Sequence, residues 1–403
     1  MLPTRRFGAV TAALLAIAAL AALAMHSTAK GAKPGGGGTT ATFTLTNLGG
    51  FTAYGTFLDS QARGIANPDA FGVVQVAGYS RVAGNGLTMP WHAYVWSVSQ
   101  TGTYLATSDL GTLSPPDDPY ANSTYGFGIN NSGVVVGRIN NGATTAFVDF
   151  PGAGNGTGMY LLPFSAIAGA HNYVAAAVND PDAEGRFSIV GEVADANRIP
   201  HGLLWQVSGP DLNGNHAISV PIDLGAFVPT AINDSGVMVG HLAGFPAMAT
   251  LANGATLLSL IAGDTAGGAL GINNRGDVVG WSQPSSGTGQ AIVWSNASAW
   301  NPVALKRLGS NAPSRAYDIN EQGQIVGYAY ATWPNSKPTN SAGVLWENGS
   351  VYNLNALAGV SSTKSTPRVT WATAINDIGQ ISGVMNASAT SDDSRAVVLT
   401  RKP

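Results

Sequence analysis

The chain contains no cysteine. A disulfide framework, a lipid-anchored cysteine and a thiol nucleophile are therefore excluded. Charge is scarce as well: 10% of the 403 residues are Asp, Glu, Lys or Arg, against about 25% in an average soluble protein. The net charge of −3 gives no electrostatic case for nucleic acid or an anionic membrane surface. Beyond the N-terminal segment no apolar run reaches the ~20 residues of a spanning helix. The helical zinc pair H-E-x-x-H and the nucleophile elbow G-x-S-x-G are missing too. The expectation is a protein without metal or cofactor, held together by packing alone.

The N-terminus carries Arg5 and Arg6, then an Ala/Leu/Ile run over residues 12–24, then small residues at Ser27 and Ala29. This is the pattern of a secretory signal peptide, residues 1–29. The apolar run is short for an uncleaved anchor. Residues 30–41, "KGAKPGGGGTTA", read as a flexible glycine-rich leader. Residues 42–403 are left for a single folded domain, exported to the periplasm or the medium, monomeric, with no membrane span.

What the chain has in abundance is one phrase. "AINDSGVMVG" at residues 231–240 returns as "GINNSGVVVG", "GINNRGDVVG", "DINEQGQIVG" and "AINDIGQISG". The Asn recurs at Asn67, Asn130, Asn179, Asn233, Asn273, Asn320 and Asn376, at intervals of 40 to 63 residues. That period fits a supersecondary unit of the size of a propeller blade. Within each unit an apolar pair precedes the Asn, two variable residues and a Gly follow, and a β-branched run ends in a second Gly. A small residue followed by apolar residues, often with Trp, comes next, as in "HGLLW" ending at Trp205; a segment such as "PIDLG" closes the unit.

The Asn-x-x-Gly core is a hairpin turn with a mechanism. The Asn side chain bonds its own backbone ahead, and the Gly supplies positive φ. The segments between turns are too brief for helices of about ten residues or more. Each unit thus reads as four antiparallel strands, and seven units as a seven-bladed all-β propeller. The seventh unit ends after "RAVVL" without a fourth strand. "FTLTNLG" at residues 43–49 resembles the closing segments elsewhere, so the N-terminal strand is expected to complete the last blade.

The phrase, followed by a His-Ala-aromatic stretch such as His92-Ala93-Tyr94, resembles the HAF-repeat proteins of bacteria. The first half of that motif is well kept over the whole domain. The histidine of the second half survives only at His92 and His201. The resemblance implies a secreted, propeller-like protein and brings no established activity. Some relatives carry a C-terminal sorting segment; the ending "VVLTRKP" favours release over surface anchoring.

Turn sequences are uniform on one face of such a propeller, whereas the connections on the other face are long and unequal. Variable loops on a rigid scaffold are where binding usually sits. The aromatics assigned to that face are Tyr79, Trp91, Tyr120, Tyr125, Trp281, Tyr328, Tyr330, Trp333 and Trp371. Flat rings suit sugars or partner proteins; burial between blades is the competing role of each. The residue two before the repeated Asn is small in most units but is Asp318 in the sixth. The first unit, shifted by one, brings Arg63 to the axis. The candidate binding residues are therefore Trp281, Tyr328, Trp333, Tyr79, Arg63 and Asp318. The leading expectation is a non-catalytic module for a glycan or a cell-surface or matrix partner. A polymer-acting enzyme with carboxylates from different blades and a structural matrix protein are the alternatives. "NDPDAEG" at residues 179–185 is the one stretch that approaches a calcium loop, without its spacing.

Overall fold

Short β-branched runs broken by glycine at fixed spacing form strands almost throughout. The computed structural model describes residues 43–51, 57–82, 90–113, 123–140, 144–151, 158–211, 214–309, 312–330, 341–360, 367–386 and 393–403. The signal peptide, the leader, Tyr120 and Trp333 lie outside the described residues. Seven four-stranded antiparallel sheets stand in a ring, a seven-bladed β-propeller. The innermost strands of blades 1 to 7 are Ser60–Ile65, Ser123–Ile129, His171–Val178, Phe227–Ile232, Asp264–Ile272, Ser314–Ile319 and Arg368–Ile375. Each touches the next, and the seventh touches the first.

The ring closes as the sequence implies. Phe43–Asn47 is the outer strand of blade 7, pairing antiparallel with Ser394–Arg401 from Phe43↔Arg401 to Asn47↔Val397. Its end copies the other closing segments. The Leu48 amide donates to the Ala396 carbonyl at 2.8 Å, as Leu224 does to Gly202. Asn47 Oδ1 accepts from the Gly49 amide at 2.9 Å, as Asp109 does from Gly111 and Asp223 from Gly225 at 2.8 Å. In blades 1 and 3 the same aspartates hold His92 and His201 at 2.9 and 3.2 Å, so both histidines of the degenerate tripeptide tie a third strand to a fourth.

One sheet cannot bury both faces alone, and the core is accordingly distributed. Seven buried apolar clusters occupy the seven blade-to-blade junctions. The third-strand tryptophans Trp205, Trp294 and Trp346 are buried there. Their indole N–H groups donate to the Pro163, Ser259 and Lys306 carbonyls at 2.7–2.9 Å, which pins the connection entering each blade.

The two glycines of the phrase do different work. The first sits at positive φ in every blade: Gly72, Gly133, Gly185, Gly236, Gly276, Gly323 and Gly379, at 75° to 82°. The second stands opposite a β-bulge in the inner strand, seen in blade 4 as a register shift between Pro229 and Ala231 against Gly240 and Val239. A Cβ on Gly240 would lie 2.0 Å from the Val228 carbonyl oxygen, whereas around Gly236 there is open space. Gly78, Gly137, Gly191, Gly280, Gly327 and Gly383 repeat the close approach, at 1.9–2.5 Å.

Gly236→Ala should then cost about 1 kcal/mol, the strain of a left-handed residue. Gly240→Ala should cost about 3 kcal/mol, because backbone must move. Urea denaturation of the two variants measures the difference; equal losses would contradict the bulge contact. Deleting residues 43–49 should lower the unfolding midpoint more than either, by opening a sheet edge in the last blade.

Candidate binding site at the axial channel

The repeated Asn is the first element of the channel. Its side-chain oxygen accepts from its own turn, as Asn233 Oδ1 does from the Val237 amide at 2.9 Å. Its Nδ2 donates to the main-chain carbonyl at the same position of the next blade. This bond runs from Asn130 to Asn179, on to Asn233, Asn273, Asn320 and Asn376, and from Asn376 to Ala66, at 3.0–3.3 Å. These asparagines are buried and both polar atoms are used, so they are structural, as turn capping requires. The alignment of the first unit on Asn67 is corrected by this ring: Ala66 holds the Asn position, and Asn67 matches Asn131.

A second ring lies one residue further on. The amides of Asn67, Asn131, Asp180, Asp234, Asn274, Glu321 and Asp377 each donate to the side-chain oxygen of the following blade's member, at 2.6–2.9 Å, and the last returns to Asn67. Four carboxylates thus encircle this mouth. Burial raises the Asp180 pKa, and the Asp234 and Asp377 charges add to that while the Asn131 bonds oppose it. In blades 1 and 3 three extra residues separate the ring from the turn, and an Asp takes over the capping: Asp69 and Asp182 accept the Gly72 and Gly185 turns. The stretch that approached a calcium loop is this turn; Asp182 and Glu184 hold Arg186 at 2.8 and 2.7 Å.

The bulge generates the next layers toward the loop-bearing face. Every inner strand has one, centred on Arg63, Phe127, Ala176, Thr230, Leu270, Tyr317 and Thr373. The residue after each bulge is Gly64, Gly128, Ala177, Ala231, Gly271, Asp318 or Ala374. These are small because the axis is crowded: a Cβ on Gly271 would meet the Tyr317 carbonyl at 2.6 Å. Asp318 is the exception. Its carboxylate accepts from the Ile319 and Ile375 amides, both at 2.9 Å. It does not neutralise Arg315. Burial pushes its pKa to about 6, against those two bonds, and the Asp377 charge adds to the rise. The residue as a whole keeps partial exposure, while its carboxyl is buried.

Two residues before each bulge, a cross-strand pair faces the residue that follows the second phrase glycine. Around the ring these pairs are Gln61–Tyr79, Tyr125–Arg138, Val174–Glu192, Val228–His241, Gly268–Trp281, Arg315–Tyr328 and Trp371–Val384. Tyr79, Trp281 and Tyr328, chosen from sequence as unrelated loop aromatics, thus occupy one register position in blades 1, 5 and 6. They belong to strands, as do Trp91, Tyr125, Tyr330 and Trp371; the pairing extends further than the turn signals indicated.

Blades 5, 6, 7, 1 and 2 form a continuous arc of aromatic and arginine side chains in these layers. Arg315 lies over the Trp281 ring at 4.2 Å, Arg63 over Tyr79 at 5.4 Å, and Arg138 over Tyr125 and Phe127 at 5.0 and 5.7 Å. The Arg63 guanidinium also donates to the Tyr79 hydroxyl at 2.7 Å and to Gln61 at 3.0 Å. Tyr79 is 7% exposed, edge-on to Trp91 and Tyr125 at 5.3 and 5.0 Å; it is a support, not an open platform. Burial pushes the Tyr317 phenol up to about 12, Tyr328 adds to this, and Arg315 and Arg63 oppose it. Arg63 and Tyr317 therefore sense one another across blade 7. Sequence reasoning missed Arg138, Arg315 as a partner of Trp281, and Tyr317 as a bulge residue. The signal was present: each stands at a fixed offset from the phrase.

Comparison with known proteins gives the following likenesses. A family model described as a protein of unknown function (DUF3466) matches residues 265–401. No curated protein matches. Among solved structures, a streptogramin B lyase is similar at 11% identity and TM-score 0.48, over 90% of this chain and 98% of that one. The β-propeller domain of the Trilobed protease from Pyrococcus furiosus is similar at 9% identity and TM-score 0.46, over 85% and 95%. A Trypanosoma rangeli sialidase is similar at 10% identity and TM-score 0.43, over 88% of this chain and 56% of that one.

The buried Asp318 carboxyl predicts a pH effect. Its folded pKa, about 6, stands above the ordinary 3.8, so the folded state holds its proton more tightly. The stabilisation is complete below the unfolded pKa and disappears as pH rises through about 6. Relative to Asp318→Asn, the natural protein should lose melting temperature between about pH 3 and 7. Parallel melting curves for the two proteins over that range would refute this assignment.

Proposed function

We propose that this chain is an exported, non-catalytic binding module whose ligand sits over the loop-bearing mouth of the axial channel. The observation that carries the reading is the register itself. Tyr79, Trp281 and Tyr328 fall at one structural position, and Arg63, Arg315 and Arg138 fall beside them, in a five-blade arc. Blades 3 and 4 place Val174, Glu192, Val228 and His241 at the same positions. A one-sided arc of aromatic and cationic groups on a rigid ring is a recognition surface. The arc offers guanidinium, phenol, indole and amide groups rather than the paired carboxylates of glycoside hydrolysis, which favours binding over catalysis. Export follows from the N-terminal segment and from the likeness of the phrase to HAF repeats.

A glycan array probed with the mature chain, starting at Lys30, tests this. Tyr328→Ala and Trp281→Ala should each weaken retention of the captured glycan about tenfold, the equivalent of about 1.4 kcal/mol. Asn233→Ala should leave binding intact while lowering the melting temperature, because it acts at the opposite mouth. If Asn233→Ala abolishes binding in a folded protein and the arc variants do nothing, the functional face is the other one. Trp333 belongs to the same expectation, and Trp333→Ala can be scored on the same array.

A further inference from the structure

The arginines of the arc differ in what they touch from those that form ion pairs. Arg81 pairs with Asp59, Arg186 with Asp182 and Glu184, Arg275 with Asp277, and Arg401 with Glu347, at 2.7–3.2 Å. Among the described residues, Arg63, Arg138, Arg315 and Arg368 have no carboxylate partner. Three of them, Arg63, Arg138 and Arg368, also have a buried Nε without a hydrogen-bond acceptor. All four are only partly exposed. They come from blades 1, 2, 6 and 7, which are contiguous around the ring, and Arg368 begins the inner strand of blade 7 at its loop end.

Leaving half-buried guanidinium groups unpaired is costly. The cost is conspicuous in a chain with 22 acidic residues and so little charge. Asp318, three residues after Arg315, is turned to backbone amides of its own and the next blade, and Asp59, four before Arg63, is taken by Arg81. The carboxylates of the axis gather instead at the far mouth, in Asp180, Asp234, Glu321 and Asp377. Among the described residues the axis is therefore lined by carboxylates at its turn-bearing end and by guanidinium groups at its loop-bearing end.

The aromatic rings explain how the guanidinium groups are held. Arg315, Arg63 and Arg138 rest on ring faces. A stacked guanidinium is fixed in plane; Arg63 is held further by its Nη2 bonds to Gln61 and Tyr79, and a planar fork held so is the arrangement that meets a carboxylate through two parallel bonds. The faces of Trp281, Tyr79 and Tyr125 are thus occupied by the protein's own cations. They preorganise arginines rather than receive sugar rings directly.

We propose that the arc binds an acidic polysaccharide through its carboxylate groups, with Arg63, Arg138 and Arg315 as the guanidinium partners. The inference rests on the binding-module reading above and specifies its ligand class. A polymer suits the site because the cations are spread over several blades, so that successive carboxylates of one chain engage different arginines. Neutral hydroxyls and ring edges of the sugar find Tyr317, Tyr328 and Trp371 between them. Glu192, at the same register in blade 3, lies beyond the end of the arc and repels an anionic chain from that side.

The test uses the mature chain and calorimetric titration with polygalacturonate, alginate and hyaluronan. Fully methyl-esterified galacturonan and dextran serve as uncharged counterparts, and poly-glutamate as an acidic peptide. Binding is expected to at least one acidic glycan, to fall steeply toward about 0.5 M salt, and to fall about tenfold or more in Arg315→Gln and in Arg138→Gln. Arg315→Lys should recover it only in part, since it keeps the charge and loses the fork. Neither glutamine variant removes a hydrogen bond or ion pair seen in the fold of the described residues, though each loses its ring contact, so both should still fold, which their melting curves check. Equal binding of the methyl ester would overturn the inference while leaving the glycan-binding reading standing. Equal binding of poly-glutamate would show that charge is read without the sugar, and would also overturn it. Binding to none of the glycans would bring down both.

Discussion

The bond on which the architecture depends is the one from an asparagine carboxamide to the main-chain carbonyl of the next blade. It is short-ranged, buried and directional, and it is made six times around the axis. A net hydrogen bond is worth only about 1 kcal/mol, so its importance is geometric. The same side chain caps its own hairpin, and so the turn and the neighbouring blade are located by one rigid group. Apolar packing at the seven junctions supplies the driving force but is indifferent to small slips. The carboxamide sets the spacing of the inner strands, and the following residue's side chain sets it a second time.

From that fixed spacing the rest of the channel follows by register. The bulge needs a partner without a Cβ, which is why the phrase ends in glycine. It also reverses which residues meet the axis, so that a small residue and a variable one alternate within two positions. The small residues let seven strands approach. The variable ones, Arg63 through Thr373, are exempt from that demand. A uniform scaffold thereby carries one non-uniform layer, whose residues vary without disturbing the repeat.

Much of this was legible in the sequence. Seven units, four strands each, positive φ at Gly236 and closure by residues 43–49 all follow from turn chemistry and period, which are local properties. The first unit was misread by one residue because Ala66 has lost the carboxamide that marks the position, and the neighbouring Asn67 took its place in the alignment. Tyr79, Trp281 and Tyr328 were picked for their rings, and their common register emerged only with the pairing. The arginine positions were legible as fixed offsets from the phrase, but their contacts were not. Arg315 and Trp281 are far apart in the chain and meet across a blade junction, and no local pattern encodes such a contact.

Ala66 has a consequence for the ring as a mechanical object. The joint between blades 1 and 2 is the only one of the seven without the carboxamide clasp. It is held by the Asn67 amide on Asn131 at 2.6 Å, by its own apolar cluster, and by the edge-on contact of Tyr79 with Tyr125 on the other side. With one clasp fewer, this joint rests more on packing and on the outer ring bond than the other six do. Arg63 and Arg138 stand on opposite lips of that joint. On the proposal above, a polymer bound to both would bridge that joint like a splint, tying occupancy of the mouth to cohesion of the ring.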